Sequence, residues 1–199
     1  CMIRRVNAIM GKIDNYRTSA LGKYYEKGHY DNKGSTNVVF EEIESLVLFQ
    51  IAFWPDTLSE VETMLNNRLG IKEIPKPGSS VLGSNASVLR IERLKLWVTG
   101  ILEPNACNAN TPILDLSHSR TNLLISGDDA PNLLNRFLPI DLREGFFGIG
   151  AVSSTMFHHV GVTLWRTESG YHLFLPRGFS LSLFELLVEG AKQFGLQVK

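Results

Sequence analysis

The stretch from Thr111 to Leu142 restricts the possible folds of this chain more than any other part of its 199 residues. The apolar run Thr121–Ser126 predicts a strand. Directly after it, an aspartate cap and a proline tolerated in the first turn predict a helix, which Pro139 ends. A strand followed at once by a capped helix is typical of folds in which helices cover one face of a sheet.

The residues before this stretch predict a strand, a helix and two further strands. Glu41–Phe53 begins with charged residues and continues as an apolar run, which favours a strand. Thr57 and Glu60 fit a capping box at the start of a helix, and Gly70 stands where a left-handed C-terminal cap belongs. Ser87–Gly100 then predicts two short strands.

The residues after this stretch predict a similar order. Strands are expected at Ser153–Phe157, Val160–Arg166 and Tyr171–Leu175, and a final helix is expected to be capped by Ser180 or by a second capping box at Ser182. We therefore expect an α+β fold with two related strand-helix-strand-strand halves, in which helices cover antiparallel sheets. The halves do not align residue for residue, so the repeat is architectural only.

Residues 1–37 differ in composition from the remainder, and we predict a domain boundary after them. They carry seven lysines or arginines, three acidic residues and four of the five tyrosines. Their apolar content is too low to build a core. The segment is therefore a disordered basic tail, an arm that lies on a partner subunit, where tyrosines are common anchors, or an RNA-binding arm, although no recognisable RNA-binding motif accompanies its charges. Residues 38–199 form the predicted α+β domain.

Composition gives few clues to partners. Twenty basic and twenty acidic residues leave no net charge, so charge does not favour binding to nucleic acid or to an anionic membrane. The two cysteines, Cys1 and Cys107, do not suggest a disulfide framework. No apolar run reaches the roughly 18 residues that span a bilayer, and no secretory signal is recognised. We expect a soluble cytoplasmic protein.

Asp115, His118 and Arg120 form the group in which catalysis is easiest to imagine. A carboxylate near an imidazole could orient a general base. The same residues also fit a strand that ends in a turn, where aspartate and serine bind the local backbone. Ser117 lacks the glycine elbow of a serine nucleophile, so the structural interpretation is favoured.

No cofactor or metal site is predicted on this chain. His158 and His159 would point to opposite faces of a strand, so they could not easily share a metal ion. The glycines from Gly145 to Gly150 follow G-x-x-G-x-G rather than the dinucleotide pattern, which predicts a loop with sharp turns. Arg177, just before the last helix, could contact an acidic neighbour or remain in an intramolecular ion pair.

An ordered series of segments resembles a known family. The segments are Asp115–Arg120 (DLSHSR), Leu134–Leu142 (LNRFLPIDL), Ser154 and Thr155 with Val162–Arg166 (VTLWR), and Pro176–Glu185 (PRGFSLSLFE). Together they resemble the gamma subunit of heterotetrameric sarcosine oxidase, which is similar in fold to the folate-binding domain of the glycine-cleavage aminomethyltransferase. The resemblance covers about residues 40–195 and is strongest from Thr111 onward.

The resemblance implies a non-catalytic role in a complex that oxidatively demethylates sarcosine. It implies alpha, beta and delta subunits as partners, and it places FAD, FMN, NAD, tetrahydrofolate and zinc on those partners rather than on this chain. Related complexes that oxidise other N-methyl amino acids have a similar subunit, so the substrate stays open.

Contacts with partner subunits are expected at aromatic and basic side chains. For each tryptophan, including Trp97 and Trp165, core packing is the alternative. An independent tetrahydrofolate-binding protein, with Asp141 or Asp115 engaging the pterin, is the rival interpretation. The predicted contact residues are Tyr16, Tyr24, Tyr25, Trp54, His158 and Arg177.

Overall fold

The structure is a computed structural model that describes residues 18–30, 36–83, 85–100 and 111–199. Within these residues the chain forms two sheets, of seven and five strands, with three α-helices. Tyr16, Cys1 and Cys107 lie outside the described residues. The predicted α+β class is confirmed.

The larger sheet has the order β1-β12-β2-β8-β11-β10-β9. All neighbouring strands are antiparallel except β12 and β2, which are parallel. Its strands are β1 Gly28–Tyr30, β2 Val38–Glu42, β8 Arg120–Ser126, β9 Val152–Phe157, β10 Val160–Thr167, β11 Gly170–Pro176 and β12 Leu196–Val198.

Two helices cover one face of the larger sheet. They are α2, Ala130–Leu134, and α3, Ser180–Ala191. Leu133 of α2 and Leu187 of α3 are fully buried in one apolar cluster with Phe40 of β2. Burying large apolar side chains of this kind contributes about 1.5–3 kcal/mol each, so this cluster is a main source of stability.

The smaller sheet has the order β4-β5-β6-β3-β7, and every pair in it is antiparallel. Helix α1, Leu58–Leu69, packs Val61 and Leu65 against it. Gly70 ends this helix in the left-handed conformation with φ 67°, as the sequence predicts. The strands are β3 Leu48–Ala52, β4 Ser80–Leu82, β5 Ala86–Glu92, β6 Lys95–Gly100 and β7 Ile113–Asp115.

The two sheets pack face to face through a third apolar cluster. Trp97 of the smaller sheet meets Phe174 of the larger sheet edge to face, with ring centroids 5.5 Å apart. Trp165 joins this cluster, and its indole Nε1 donates a hydrogen bond to Ser80 Oγ at 2.9 Å. Trp97 and Trp165 therefore pack in the core. Core packing is the alternative that the sequence gives to contact with a partner.

The prediction of one strand over Glu41–Phe53 is wrong. The region forms β2 and β3, which are separated by a turn at Glu44 and Ser45 and belong to different sheets. In β2 the buried positions alternate, whereas in β3 the adjacent residues Leu48 and Phe49 are both buried. Both are buried because β3 faces α1 on one side and the larger sheet on the other. A run of apolar residues does not show where the chain changes sheets.

The predicted N-terminal helix caps are also wrong. Thr57 Oγ1 accepts from the amide of Trp54 at 3.0 Å instead of capping α1. Ser180 is the first residue of α3 and is buried, with Oγ 2.8 Å from Thr121 Oγ1, so its hydroxyl links the helix to the sheet. Asp129 makes no side-chain capping bond to α2 and instead accepts from the Asn37 amide at 3.0 Å. Ser180 and Asp129 thus bond to residues distant in sequence, whereas Thr57 bonds within the turn that precedes α1.

Part of the predicted N-terminal arm packs against its own domain. Leu21 is buried in the larger core, and β1 pairs with β12, a C-terminal strand that the sequence interpretation missed. Tyr25 packs against Phe184 of α3 with the two rings tilted and their centroids 5.6 Å apart. The described part of the arm is thus attached to its own chain, while the boundary after residue 37 stays a prediction.

Gly127 provides a test of the turn between β8 and α2. Its φ is +102°, and a Cβ there would lie 2.2 Å from Asn37 O. We expect Gly127→Ala to lower the free energy of unfolding by about 2 kcal/mol or more. Alanine is strained at this positive φ, and its Cβ would force the backbone to move. Urea unfolding measures it. The control is Gly145→Ala, where a Cβ meets nothing within 4 Å, and an equal loss in both variants would contradict the explanation.

Candidate functional site

Asp115, His118 and Arg120 lie in and beside the turn that joins β7 to β8. Asp115 Oδ1 accepts from the Ser117 amide at 2.8 Å, which is the local backbone contact that the sequence favours. Ser117 Oγ accepts from the Leu48 amide at 3.0 Å, so the turn is also tied to β3. His118 is exposed. These contacts support a structural role for the turn that joins β7 to β8.

Arg120 leaves this turn and enters a crevice between the sheets. Its guanidinium carbon lies 5.7 Å from the centroid of the Trp97 ring, and partial burial lowers the pKa of the guanidinium below its usual value. Trp97 Nε1 donates to Gln50 Oε1 at 3.3 Å on the same wall. The crevice has a volume of about 480 Å³ and is also lined by Thr163 and Phe174. It is a depression with both polar and apolar lining, and its walls are the faces of the two sheets.

His172 is a largely but not fully buried titratable group that the sequence interpretation missed. It lies on β11, where its ring packs 5.0 Å from the Trp165 ring, and its Nδ1 is 3.2 Å from Asn122 Oδ1. Burial lowers the pKa of His172 to about 4, so the ring is neutral at pH 7. The signal in the sequence was a single histidine within the apolar strand Tyr171–Leu175, at the position where its side chain faces the other sheet.

His158 and His159 do not lie on a strand as predicted. They form the two-residue turn between β9 and β10, and both are exposed. His158 has φ 53° and packs against the Phe157 ring at a centroid distance of 5.4 Å. The hairpin turn leaves both side chains exposed, so neither is buried in a core. Contact of His158 with a partner stays a prediction.

The glycine-rich loop forms turns and exposes apolar side chains. Phe146 and Ile149 leave 71% and 63% of their surfaces exposed. Gly150 binds both sheets, since its carbonyl accepts from the Ser80 amide at 2.8 Å and its amide donates to Arg166 O at 2.9 Å. The loop therefore bridges the sheets.

The predicted contact residues fall on separate parts of the surface. Tyr24 is exposed beside α3, and Trp54 is 65% exposed before α1. Tyr25 is half-buried against Phe184, and Arg177 Nη2 donates to Thr18 O at 2.7 Å, so both also hold the arm. Burial raises the pKa of the Tyr25 hydroxyl. Tyr16, in contrast, lies outside the described residues.

Asp141, a candidate for binding a pterin in the rival interpretation, is engaged by a neighbour. Its Oδ1 accepts from Arg143 Nε at 2.9 Å, and this guanidinium lowers the pKa of the exposed carboxyl. Asp141 does not line the crevice between the sheets. In the part of the chain that the structure describes, no cluster of three or more His, Cys, Asp or Glu side chains could hold a metal ion. No described helix is long and apolar enough to cross a membrane.

Sequence comparison finds curated relatives of one kind. The chain is 34% identical over 83 residues to "Sarcosine oxidase subunit gamma" of Corynebacterium sp. (strain P-1), and 37% identical over 67 residues to the protein of the same name from Arthrobacter sp.. The first match spans 41% of each chain, and the second spans 34% of this chain and 33% of the relative. The matched region thus spans less than half the length of these relatives. No protein-family model matches the chain.

Structure comparison extends the likeness to most of the chain. A chain of heterotetrameric sarcosine oxidase from Corynebacterium sp. U-96 superposes with a TM-score of 0.74 at 20% identity, covering 89% of this chain and 96% of that one. The glycine cleavage system aminomethyltransferase T from Bartonella henselae gives a TM-score of 0.61 at 14% identity, covering 82% and 48%. The resemblance seen in the sequence is confirmed. At these identities the structural likeness establishes the fold.

The buried His172 predicts a pH dependence of stability. Its pKa is about 4 when folded and 6.5 in the reference state. Because the unfolded chain binds the proton more tightly, this group's contribution is complete above about pH 6.5 and is lost as pH falls toward 4. Between pH 7 and pH 5, we expect the free energy of unfolding to fall by about 2 kcal/mol less in His172→Gln than in the parent protein.

Urea unfolding at both pH values measures this difference. His118→Gln is the matched control, because His118 is exposed and its removal should leave the difference nearly unchanged. A His172→Gln variant with the same pH dependence as the parent protein would contradict the assignment.

Proposed function

We propose that this chain is a non-catalytic structural subunit of a heterotetrameric sarcosine oxidase complex, which oxidatively demethylates sarcosine. Two similarities together carry the proposal, one in sequence and one in fold. Relatives named as the gamma subunit match in sequence, and a chain of a heterotetrameric sarcosine oxidase matches over 96% of its length in fold. The chain contributes to the complex by burying its own surface against larger subunits.

The arrangement of the candidate residues supports a structural rather than a catalytic role. Asp115 and Ser117 form hydrogen bonds that stabilise a turn, and Asp141 forms an ion pair with Arg143. Exposed large apolar side chains, in contrast, are spread over several loops and edges, which suits a subunit that meets more than one partner. They include Tyr24, Trp54, Leu114, Phe146, Ile149 and Phe179.

The partners in this proposal are alpha, beta and delta subunits in the cytoplasm. FAD, FMN, NAD, tetrahydrofolate and zinc reside on those subunits, and this chain holds none of them. Tyr16, Tyr24, Tyr25, Trp54, His158 and Arg177 contact the partners. The alternative within the same class is a complex that oxidises another N-methyl amino acid.

Purification of the native protein under mild conditions tests the proposal. We expect co-purification with larger flavin-carrying chains and a small zinc-carrying chain, in a preparation that oxidises sarcosine. Preference for another N-methyl amino acid would select the alternative complex. A monomer that binds tetrahydrofolate at micromolar concentration in calorimetry would instead support the rival, an independent folate-binding protein.

Trp54 provides a test of the predicted contacts. Replacing it with alanine removes a large aromatic surface that the chain itself leaves 65% exposed. We expect Trp54→Ala to weaken subunit association about tenfold or more, as buried tryptophans in interfaces do, with little change in the thermal midpoint of the isolated chain. Sedimentation of reconstituted complexes measures the association. Trp54→Phe is the control that keeps an aromatic ring, and undiminished association of Trp54→Ala would exclude this residue from the interface.

A further inference from the structure

Arg166 and Tyr171 are opposite residues on neighbouring strands, and their side chains stack on each other. They pair across β10 and β11, so both side chains leave the same face of the larger sheet. The guanidinium carbon of Arg166 lies 4.3 Å from the centroid of the Tyr171 ring. Phe147 packs nearly parallel to this ring, with the two centroids 6.5 Å apart. A guanidinium that stacks through its face keeps the N–H donors at its edge available for an acceptor.

A pocket of about 340 Å³ opens beside this stacked pair. It lies between α2, the loop of residues 142–149 and the turn end of the β10–β11 hairpin. The carboxamides of Asn132 and Asn135 also line it. Small-ligand sites combine apolar walls with a few polar groups that converge, and this pocket has both. Its apolar lining comes from Pro131, Leu142, Phe147 and Ile149.

Tyr171 presents a hydroxyl without a partner to the pocket. The residue exposes only 3% of its surface, and within the described residues its hydroxyl makes no hydrogen bond. The hydroxyl is not closed off from solvent, however. Among the described side chains, the closed-off polar atoms without a partner belong to Glu42 and Arg177. A ligand oxygen in the pocket can therefore reach the Tyr171 hydroxyl, a group that buried tyrosines normally satisfy.

The Tyr171 hydroxyl and the Arg166 guanidinium both act as donors at neutral pH. Burial raises the pKa of the Tyr171 hydroxyl most strongly, while Arg166 lowers this pKa and Glu144 raises it, so the phenol stays protonated at pH 7. In the described part of the chain, the Arg166 side chain has no ion pair and no hydrogen bond. Two donors side by side match the two oxygens of a carboxylate.

The other charged side chains of the described lining are Arg143 and Glu144, and both are exposed. Arg143 is held by Asp141, whose Oδ1 accepts from its Nε at 2.9 Å. Solvated charges of this kind act weakly on a ligand. The binding groups of the pocket are therefore Arg166 and Tyr171.

We propose that this pocket binds a small monocarboxylate with an apolar body, whose carboxylate accepts from the Tyr171 hydroxyl and the Arg166 guanidinium. The apolar body packs against Leu142 and Ile149. Aromatic and branched aliphatic monocarboxylates are the ligand class that fits these groups. The site lies entirely on this chain, so the inference does not rest on the proposed function.

Titration of the full chain with sodium benzoate tests the site, followed by NMR through the backbone amide signals of residues 142–149. We expect a saturable shift with a dissociation constant on the order of 1 mM, as is usual for a ligand with few heavy atoms. Benzamide is the neutral control of the same shape, and it should bind at least about tenfold more weakly. Equal binding of benzamide, or the lack of a saturable shift with benzoate, would overturn the proposal.

Tyr171→Phe removes only the hydroxyl and keeps the ring on which Arg166 stacks. We expect this variant to bind benzoate about tenfold more weakly, because it loses a hydrogen bond to a charged group. Its thermal midpoint without ligand should not fall, since the hydroxyl has no described partner to lose. Unchanged binding of benzoate in a folded Tyr171→Phe variant would refute the assignment of this hydroxyl.

Arg166→Gln removes the stacked guanidinium, and we expect it to weaken the binding of benzoate about tenfold or more. Arg143→Gln is the matched control. Arg143 lines the same pocket and also lies over an aromatic ring, 4.7 Å from the centroid of Phe146, but Asp141 holds its guanidinium. This control should bind benzoate nearly as the parent chain does, and an equal loss in both variants would show only a general effect of positive charge and contradict the site.

Discussion

The packing of the two sheets against each other is the contact on which the rest of the structure depends. Each sheet is covered by helices on one face only, so each has a second apolar face that must be buried. Trp97, Phe174 and Trp165 fill that space, and the bond from Trp165 to Ser80 satisfies the one polar atom of the indole. This packing also forms the walls of the crevice that Arg120 enters, and it largely buries His172.

Local patterns in the sequence predicted the elements better than their caps or their assignment to sheets. Most strands of the second half were found, because apolar residues and turns alternate clearly there, and Gly70 ended α1 as expected. Thr57 and Ser180 were misassigned because other partners compete with helix caps for the same hydroxyl: the Trp54 backbone in the preceding turn for Thr57, and Thr121 of the sheet for Ser180. β1 and β12 are three residues long, and strands of that length leave almost no periodic signal.

The contacts of the candidate residues were predictable only where the two partners are close together in the sequence. The contact from Asp115 to the Ser117 amide follows from the spacing of the two residues. The exposure of Trp54 and the burial of Trp97 and Trp165 do not, since the same residue type suits a core and an interface equally. The burial of Glu42 at the end of β2 does not follow from the local sequence either, since Ser19 and Tyr25 of the N-terminal arm bond to it.

The crossing of the chain between sheets at Glu44 and Ser45 has a consequence for synthesis on the ribosome. β2 is made well before both of its neighbours in the sheet, β8 and β12. Its edge toward β8 stays unpaired until residues 120–126 have been made, and its edge toward β12 stays unpaired until residues 196–198 have been made. Long-range pairings of this kind form slowly, and unpaired strand edges are the surfaces on which nascent chains associate wrongly. Residues 38–42 are thus a segment whose edges are open to wrong pairing during synthesis.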